Sequence, residues 1–139
     1  MTLKEIEQEI IEEFADFPDW MDKYEYLIEL GKSLPIIAEE DKVENYLIKG
    51  CQSRVWLTFE LKDGLICFYA DSDAIITKGI ISLLIRVYNQ RTPQEILESD
   101  FSFVNEIGLK ENLSTTRANG LLSMIKKIKA YALSASTQV

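Results

Sequence analysis

The chain contains no histidine. That absence removes Ser-His and Cys-His nucleophilic pairs supplied by one chain, and with them the commonest protein ligand for zinc and iron. Cysteine is scarce: Cys51 and Cys67 are the only two. They form no Cys-x-x-Cys pair, so a thioredoxin-like redox motif is missing, and two thiolates are too few for a four-thiolate cluster or zinc site held by this chain alone. A disulfide between them would be unusual in the cytosol. Long apolar runs are missing as well. The longest, Gly79 to Ile85, is broken by Ser82, closed by Arg86, and too short to span a bilayer. Met1-Thr2-Leu3-Lys4-Glu5 lacks the basic-then-apolar order of a secretory leader. These features lead to the expectation of a cytoplasmic protein with no membrane partner.

What is present is a chain of 139 residues, 47% apolar and 27% charged, long enough for one domain with a real core. Its net charge of -8 is unevenly spread. Residues 1–45 hold 14 acidic and 4 basic side chains, a balance of -10, while residues 46–139 hold 9 and 11, a balance of +2. An acidic total repels phosphate backbones and argues against a nucleic-acid partner. The acidic N-terminal section reads most simply as solvated helix faces.

Thr2-Leu3-Lys4-Glu5 is a capping box, and Leu3, Ile6, Ile10 and Phe14 follow at helical spacing. Asp16-Phe17-Pro18 breaks that helix. A second starts near Asp19, carries Trp20, Tyr24, Leu27 and Ile28 on one face, and ends at Gly31. The period then changes. From Ser53 to Lys62 apolar residues alternate with others, Asp63-Gly64 signals a hairpin turn, and Leu65 to Ala70 returns. A shorter strand through Val43 to Ile48 would complete a three-stranded antiparallel sheet. Helices are predicted from about Ala74 to Tyr88, buried through Ile76, Ile80, Leu83, Leu84 and Val87, from the capping box Thr92-Pro93-Gln94-Glu95 to Glu98, and over Phe101 to Ile107. Gly79 inside the first of these hints at a close backbone contact. Ser114 caps a long final helix whose Lys126, Lys127 and Lys129 fall near a C-terminus placed before Ser134. The predicted class is α+β: a small three-stranded antiparallel sheet with helices packed on it, in one domain over 1–139.

Gly50-Cys51-Gln52-Ser53 joins two of the predicted strands. A loop thiol beside glycine can be approached closely by a reacting partner, and Lys49 and Arg54 favour thiolate over thiol. The alternative is that Cys51 is a small buried hydrophobe, as free cysteine often is. Cys67, between Ile66 and Phe68, reads as core. Asp71-Ser72-Asp73 lacks the further ligands of a calcium loop and suits the N-cap of the following helix. In a hairpin centred on Asp63-Gly64 it reaches the same end of the sheet as Ser53, where its charge can tune the thiol. Arg117 stands in the first turn of the final helix, the wrong end for a cation, and so calls for an ion pair with Asp71, Asp73 or Glu111, or a partner contact.

Gly50-Cys51-Gln52-Ser53-Arg54-Val55-Trp56 resembles the signature of the SufE family, sulfur acceptors for cysteine desulfurases in iron–sulfur cluster assembly. Three more stretches agree in order: Ala70-Asp71-Ser72-Asp73-Ala74 running on to Lys78-Gly79, Thr92-Pro93-Gln94-Glu95-Ile96, and Leu113-Ser114 through Arg117 to Asn119-Gly120-Leu121. Trp20, Tyr24 and the residues to Pro35 fit the family's N-terminal helix. Thr115 and Ala118 depart from the family's frequent Pro and Ser, which bears on partner detail. The resemblance implies a fold shared with IscU-type scaffolds and makes Cys51 the sulfur acceptor. Gly50, Gln52, Ser53, Arg54, Asp71, Asp73 and Arg117 would be its supporting loop and partner contacts. It also implies a PLP-dependent cysteine desulfurase as donor, a downstream iron–sulfur scaffold as recipient, and no metal or cofactor in the chain itself, whether monomer or homodimer. A paralogue serving another desulfurase and thiolation pathway, a cluster scaffold, and an interaction domain with Cys51 as packing are the competing readings.

Overall fold

The computed structural model describes residues 1–138. Helix α1, Leu3–Ala15, opens on a reciprocal cap: the Glu5 amide donates to Thr2 Oγ1 at 3.1 Å and the Thr2 amide to Glu5 Oε1 at 2.9 Å. It buries Leu3, Ile10 and Phe14. Its acidic face is less solvated than the sequence suggests. Glu9 and Glu13 both clamp Arg86, each at 2.6 Å, and Glu7 is buried against the Tyr88 hydroxyl. Helix α2, Trp20–Gly31, starts where the Asp19 carboxylate accepts the Asp22 amide at 3.0 Å.

Strands β1, Val55–Lys62, and β2, Leu65–Ser72, form an antiparallel hairpin. Asp63 (φ 54°) and Gly64 (φ 80°) both adopt the left-handed conformation that a tight two-residue hairpin turn requires. The register pairs Lys62 with Leu65 and Val55 with Ser72. It turns Val55, Leu57, Ile66, Phe68 and Ala70 into the core. Cys67 therefore lies half-buried on the outer face opposite Glu60, and not in the core.

The third strand does not form. Residues Glu44–Tyr46 coil into a 3-10 turn, leaving one bridge, Leu47 to Trp56, with the Ile48 amide donating to Val55 O at 2.8 Å. Glu44 and Asn45 favour turns over a pleat, and the segment lacks strict alternation. The opposite edge is covered by the chain after α2: the Ala70 amide donates to Pro35 O at 2.9 Å and the Ile37 amide to Ala70 O at 3.1 Å. The sheet thus has two strands with both edges blunted by single-residue bridges.

Helix α3, Ile75–Tyr88, is buried nearly all round. Ile76 is only half-buried, while Ile81, Ser82 and Ile85 join the predicted face inside. Gly79 is the reason α2 fits there. A Cβ on it would overlap the Leu27 carbonyl, and Gly31, one turn further along α2, also packs on the Gly79 backbone, so the two helices cross backbone to backbone. Ser82 Oγ donates to Leu30 O at 2.7 Å and so keeps its hydroxyl satisfied in the core.

Helix α4, Pro93–Glu98, has the predicted cap, and α5, Phe103–Glu106, stops before Gly108 at φ 72°. Helix α6, Thr115–Ser136, is longer than its sequence signals suggest, because Ala132 and Ala135 are small enough to pack into the core. Lys126, Lys127 and Lys129 consequently lie mid-helix, away from the terminal carbonyls.

Gly79→Ala separates two opposing effects. Alanine favours an isolated helix by about 1 kcal/mol, but a methyl against a fixed carbonyl forces α2 and α3 apart at about 1–3 kcal/mol or more. The clash is with backbone and should win. Urea denaturation should show net destabilisation; a variant as stable as the parent would contradict the close crossing.

Candidate functional site

The segment from Lys49 to Ser53 crosses from the edge of the sheet to the first turns of α6. Both of its ends are pinned. On one side is the Leu47–Trp56 bridge. On the other, Arg54 extends the hairpin ladder: its amide donates to Asp73 Oδ1 at 3.0 Å, and its carbonyl accepts from Ser72 Oγ at 2.7 Å and from the Asp73 amide at 3.3 Å. Gly50, at φ 96°, takes a conformation that side chains rarely adopt, and its open α-carbon lies against Ser123 Oγ of α6.

The loop drops Cys51 onto Gly120. A Cβ at Gly120 would sit 3.4 Å from Cys51 Sγ, so the sulfur lies at van der Waals distance from this turn of α6. The thiol donates weakly to Gly120 O at 3.7 Å. Beside it opens a pocket of about 370 Å³. Gln52, Ser53, Thr77, Ser114, Thr116 and Arg117 supply its polar lining; Ile80 and Met124 supply its apolar part. Burial pushes the Cys51 thiol above its ordinary pKa. Lys49 and Arg54 do not offset that effect here, contrary to the activation expected from their nearness in sequence. In this conformation the thiol is half-buried, and that burial favours its neutral form.

The other predicted residues divide. Gln52, Ser53 and Arg117 share the pocket with Cys51, and Gly50 sits beside it as the bend of the loop. Arg54 and Asp73 meet through the backbone, so the Asp73 carboxylate anchors the loop's exit. Asp71 is turned elsewhere. Its carboxylate pairs with Lys42 at 2.7 Å and Lys78 at 3.3 Å. Burial pulls its pKa upward, but these cations and the Ser72 amide outweigh it and hold it below the ordinary range. With both carboxylates engaged, neither caps α3. Its N-cap is Ala74, which has no side-chain cap, and the Ala74 amide donates to Ser72 Oγ at 3.2 Å. Arg117 makes no ion pair with Asp71, Asp73 or Glu111 among the described residues; its amide is capped by Ser114 Oγ at 3.2 Å.

Sequence reasoning missed Gly120, Thr77 and Lys42 as parts of this region. Gly120 carries a signal, a glycine inside a helix, of the kind that marked Gly79. Thr77 and Lys42 carry none, since their roles depend on packing from distant parts of the chain. No group of three Asp, Glu or Cys residues suited to a metal ion occurs among the described residues, and no helix among them is long and apolar enough to cross a membrane.

Comparison with known proteins places these observations. The SufE family, described as an Fe-S metabolism associated domain, matches residues 8–132. An uncharacterized SufE-like protein of Rhizobium etli is 40% identical over 129 residues, covering 89% of this chain and 87% of that protein. An uncharacterized SufE-like protein of Rhizobium meliloti is also 40% identical over 129 residues, covering 89% and 92%. The solution structure of a hypothetical protein from Thermus thermophilus shares the fold, with a TM-score of 0.79 at 21% identity over 95% of this chain and 96% of that one.

Two measurements follow from the geometry, both in a Cys67→Ala background so that one thiol reports. The pH midpoint for iodoacetamide alkylation of Cys51 should lie above the ordinary thiol value of about 8.5 and return to it in urea. A native midpoint below the unfolded one would contradict the sheltered thiol. Asp73→Ala removes the acceptor for the Arg54 amide, so that amide should exchange its hydrogen faster and Cys51 should alkylate faster at neutral pH. Unchanged rates in a folded variant would show that Asp73 does not hold the loop.

Proposed function

The chain belongs to the SufE family, and from that premise we infer that it carries sulfur as a persulfide on Cys51, accepted from a PLP-dependent cysteine desulfurase and passed on for iron–sulfur cluster assembly. The observation that carries this reading is the position of Cys51. It is the one thiol that sits on a glycine-hinged loop and faces a polar pocket, whereas Cys67 lies on the outer face of the sheet. In this reading the chain is a cytoplasmic accessory protein, and the reaction belongs to the pair.

Transfer is thiol–disulfide exchange in kind. Cys51 gives up its proton and the thiolate attacks the outer sulfur of the donor's cysteine persulfide. A sulfur–sulfur bond forms at Cys51 as the donor's breaks, and the departing donor thiolate takes up the proton. No external oxidant or reductant enters. Leaving the shelter beside Gly120 lowers the cost of ionisation, since burial is what raises the thiol's pKa. Gly50 supplies the bend about which the loop can turn outward, and Arg54 with Asp73 limits the movement to Lys49–Ser53. On return, the pocket shields a persulfide that reductants and oxidants would otherwise destroy. Arg117, Gln52 and Ser53 line the space the added sulfur would enter, and Arg117 offers the cation that favours its anionic form.

Cys51→Ser is nearly isosteric and should fold, yet it should neither accept sulfur nor stimulate alanine formation by the desulfurase, because a hydroxyl is a far weaker nucleophile and forms no persulfide. Cys67→Ala should keep both functions. Full stimulation by Cys51→Ser, or its loss in a folded Cys67→Ala protein, would overturn the assignment.

A further inference from the structure

The cations around the cysteine loop stand without acidic partners. Lys32, Lys42, Lys62, Lys78, Arg86 and Arg91 each hold a carboxylate within 4.0 Å. Among the described residues Lys49, Arg54, Arg117, Lys126 and Lys127 hold none. Lys4, Lys23, Lys110 and Lys129 hold none either, but they line neither the sulfur pocket, as Arg117 does, nor the groove beside it, and they are not next to the Cys51 loop in the chain, as Arg54 is. The cause of the cluster lies in the sequence. A chain with 23 acidic residues has no Asp or Glu between Tyr46 and Phe59, and none in the 22 residues of α6. The two acid-free segments pack against each other where Gly50 meets Ser123 and Cys51 meets Gly120.

Three of the unpaired cations, Lys49, Lys126 and Lys127, line one groove of about 650 Å³ between the 44–49 segment and α6. Leu47, Ile48 and Ala130 give it an apolar part. Ser123 lines it as well, the residue that packs on the hinge glycine of the Cys51 loop. The groove shares no lining residue with the sulfur pocket, so the two are neighbours joined at Gly50. Glu44 is its one carboxylate, and together with the total charge of -8 it disfavours a polyphosphate backbone. Spaced cations with apolar ground between them suit a protein segment whose carboxylates alternate with other side chains.

We propose that this groove seats an acidic segment of the sulfur donor and registers that protein against the Cys51 loop. The proposal rests on the reading of Cys51 as a sulfur acceptor and adds the surface through which the donor finds it. A thiol half-buried against Gly120 offers an incoming protein little surface to recognise, so recognition falls to a feature beside the loop. Unpaired cations are suited to that work: they draw an acidic surface in from a distance and cost no existing ion pair when it docks.

Lys49→Glu with Lys126→Glu tests this, because both side chains are exposed, while Lys127 stacks on Tyr131 at 4.8 Å and is left in place. The assay is single-turnover persulfide transfer from the desulfurase of the same organism, preloaded with cysteine, at a series of donor concentrations and salt concentrations. The double variant should raise the half-saturating donor concentration by about tenfold or more at low salt and flatten its salt dependence. Lys126→Glu alone, outside the Cys51 loop, should show part of the same change and leave the loading of Cys51 by glutathione persulfide unchanged, and Lys49→Arg with Lys126→Arg should behave as wild type. Unchanged half-saturation with wild-type salt dependence would overturn the groove alone. So would normal loading combined with impaired discharge to a scaffold protein, or a labelled oligonucleotide that binds wild type and not the variant. Failure of the wild-type protein to load from either donor would instead overturn the sulfur-acceptor reading beneath it.

Discussion

The register of the β1–β2 hairpin determines where the Cys51 thiol stands. With Asp63 and Gly64 at the turn, Arg54 falls opposite Asp73, and the ladder runs one pair beyond the strands themselves. A slip of one residue would put Leu57 and Phe68 on opposite faces, exposing one strand's apolar set, and would move the Cys51 loop off Gly120. The core thus protects the register, and the register places the loop. Cys51 packs at the edge of the hydrophobic core, and its position is fixed by the residues buried there.

Three glycines transmit that constraint through close approach. Gly79 lets α2 lie against α3, which sets one wall of the core. Gly50 does the same between the loop and α6 at Ser123, and Gly120 meets the Cys51 sulfur at ordinary contact distance. Because the contact at Gly120 is a weak sulfur hydrogen bond and not a packed side chain, the loop is held shut by little more than burial and one poor donor. That balance fits a group that must be sheltered at one moment and exposed at the next. The energetic opposition is local: burial disfavours the thiolate, and moving outward relieves it.

Much of this was legible in the sequence, for identifiable reasons. The two capping boxes, the hairpin turn and the close contact at Gly79 are written in short patterns whose meaning is local, and the structure contains all of them. The SufE resemblance was equally readable, because the cysteine loop is a continuous run. What failed was decided at a distance. The Val43–Ile48 strand gave way to a turn whose end meets the sheet at one residue. The local sequence suggests a helix cap for Asp71 because its partner, Lys42, stands far off in the chain. The apolar neighbours of Cys67 suggest a core position, but Ile66 and Phe68 occupy the inward positions and strict alternation sends Cys67 out. In α6, the apolar stripe near the end is made of alanines, which announce burial weakly.

The central claim is that Cys51, and not Cys67, holds transferred sulfur. Its most direct test is to incubate the protein with its cysteine desulfurase and cysteine, trap free persulfides by alkylation without reductant, digest, and weigh the two cysteine peptides. The account predicts one added sulfur atom on the Cys51 peptide, dependent on both desulfurase and cysteine, and none on the Cys67 peptide. An unmodified Cys51 peptide from a folded protein turning over with an active desulfurase, or sulfur found on Cys67 instead, would contradict it.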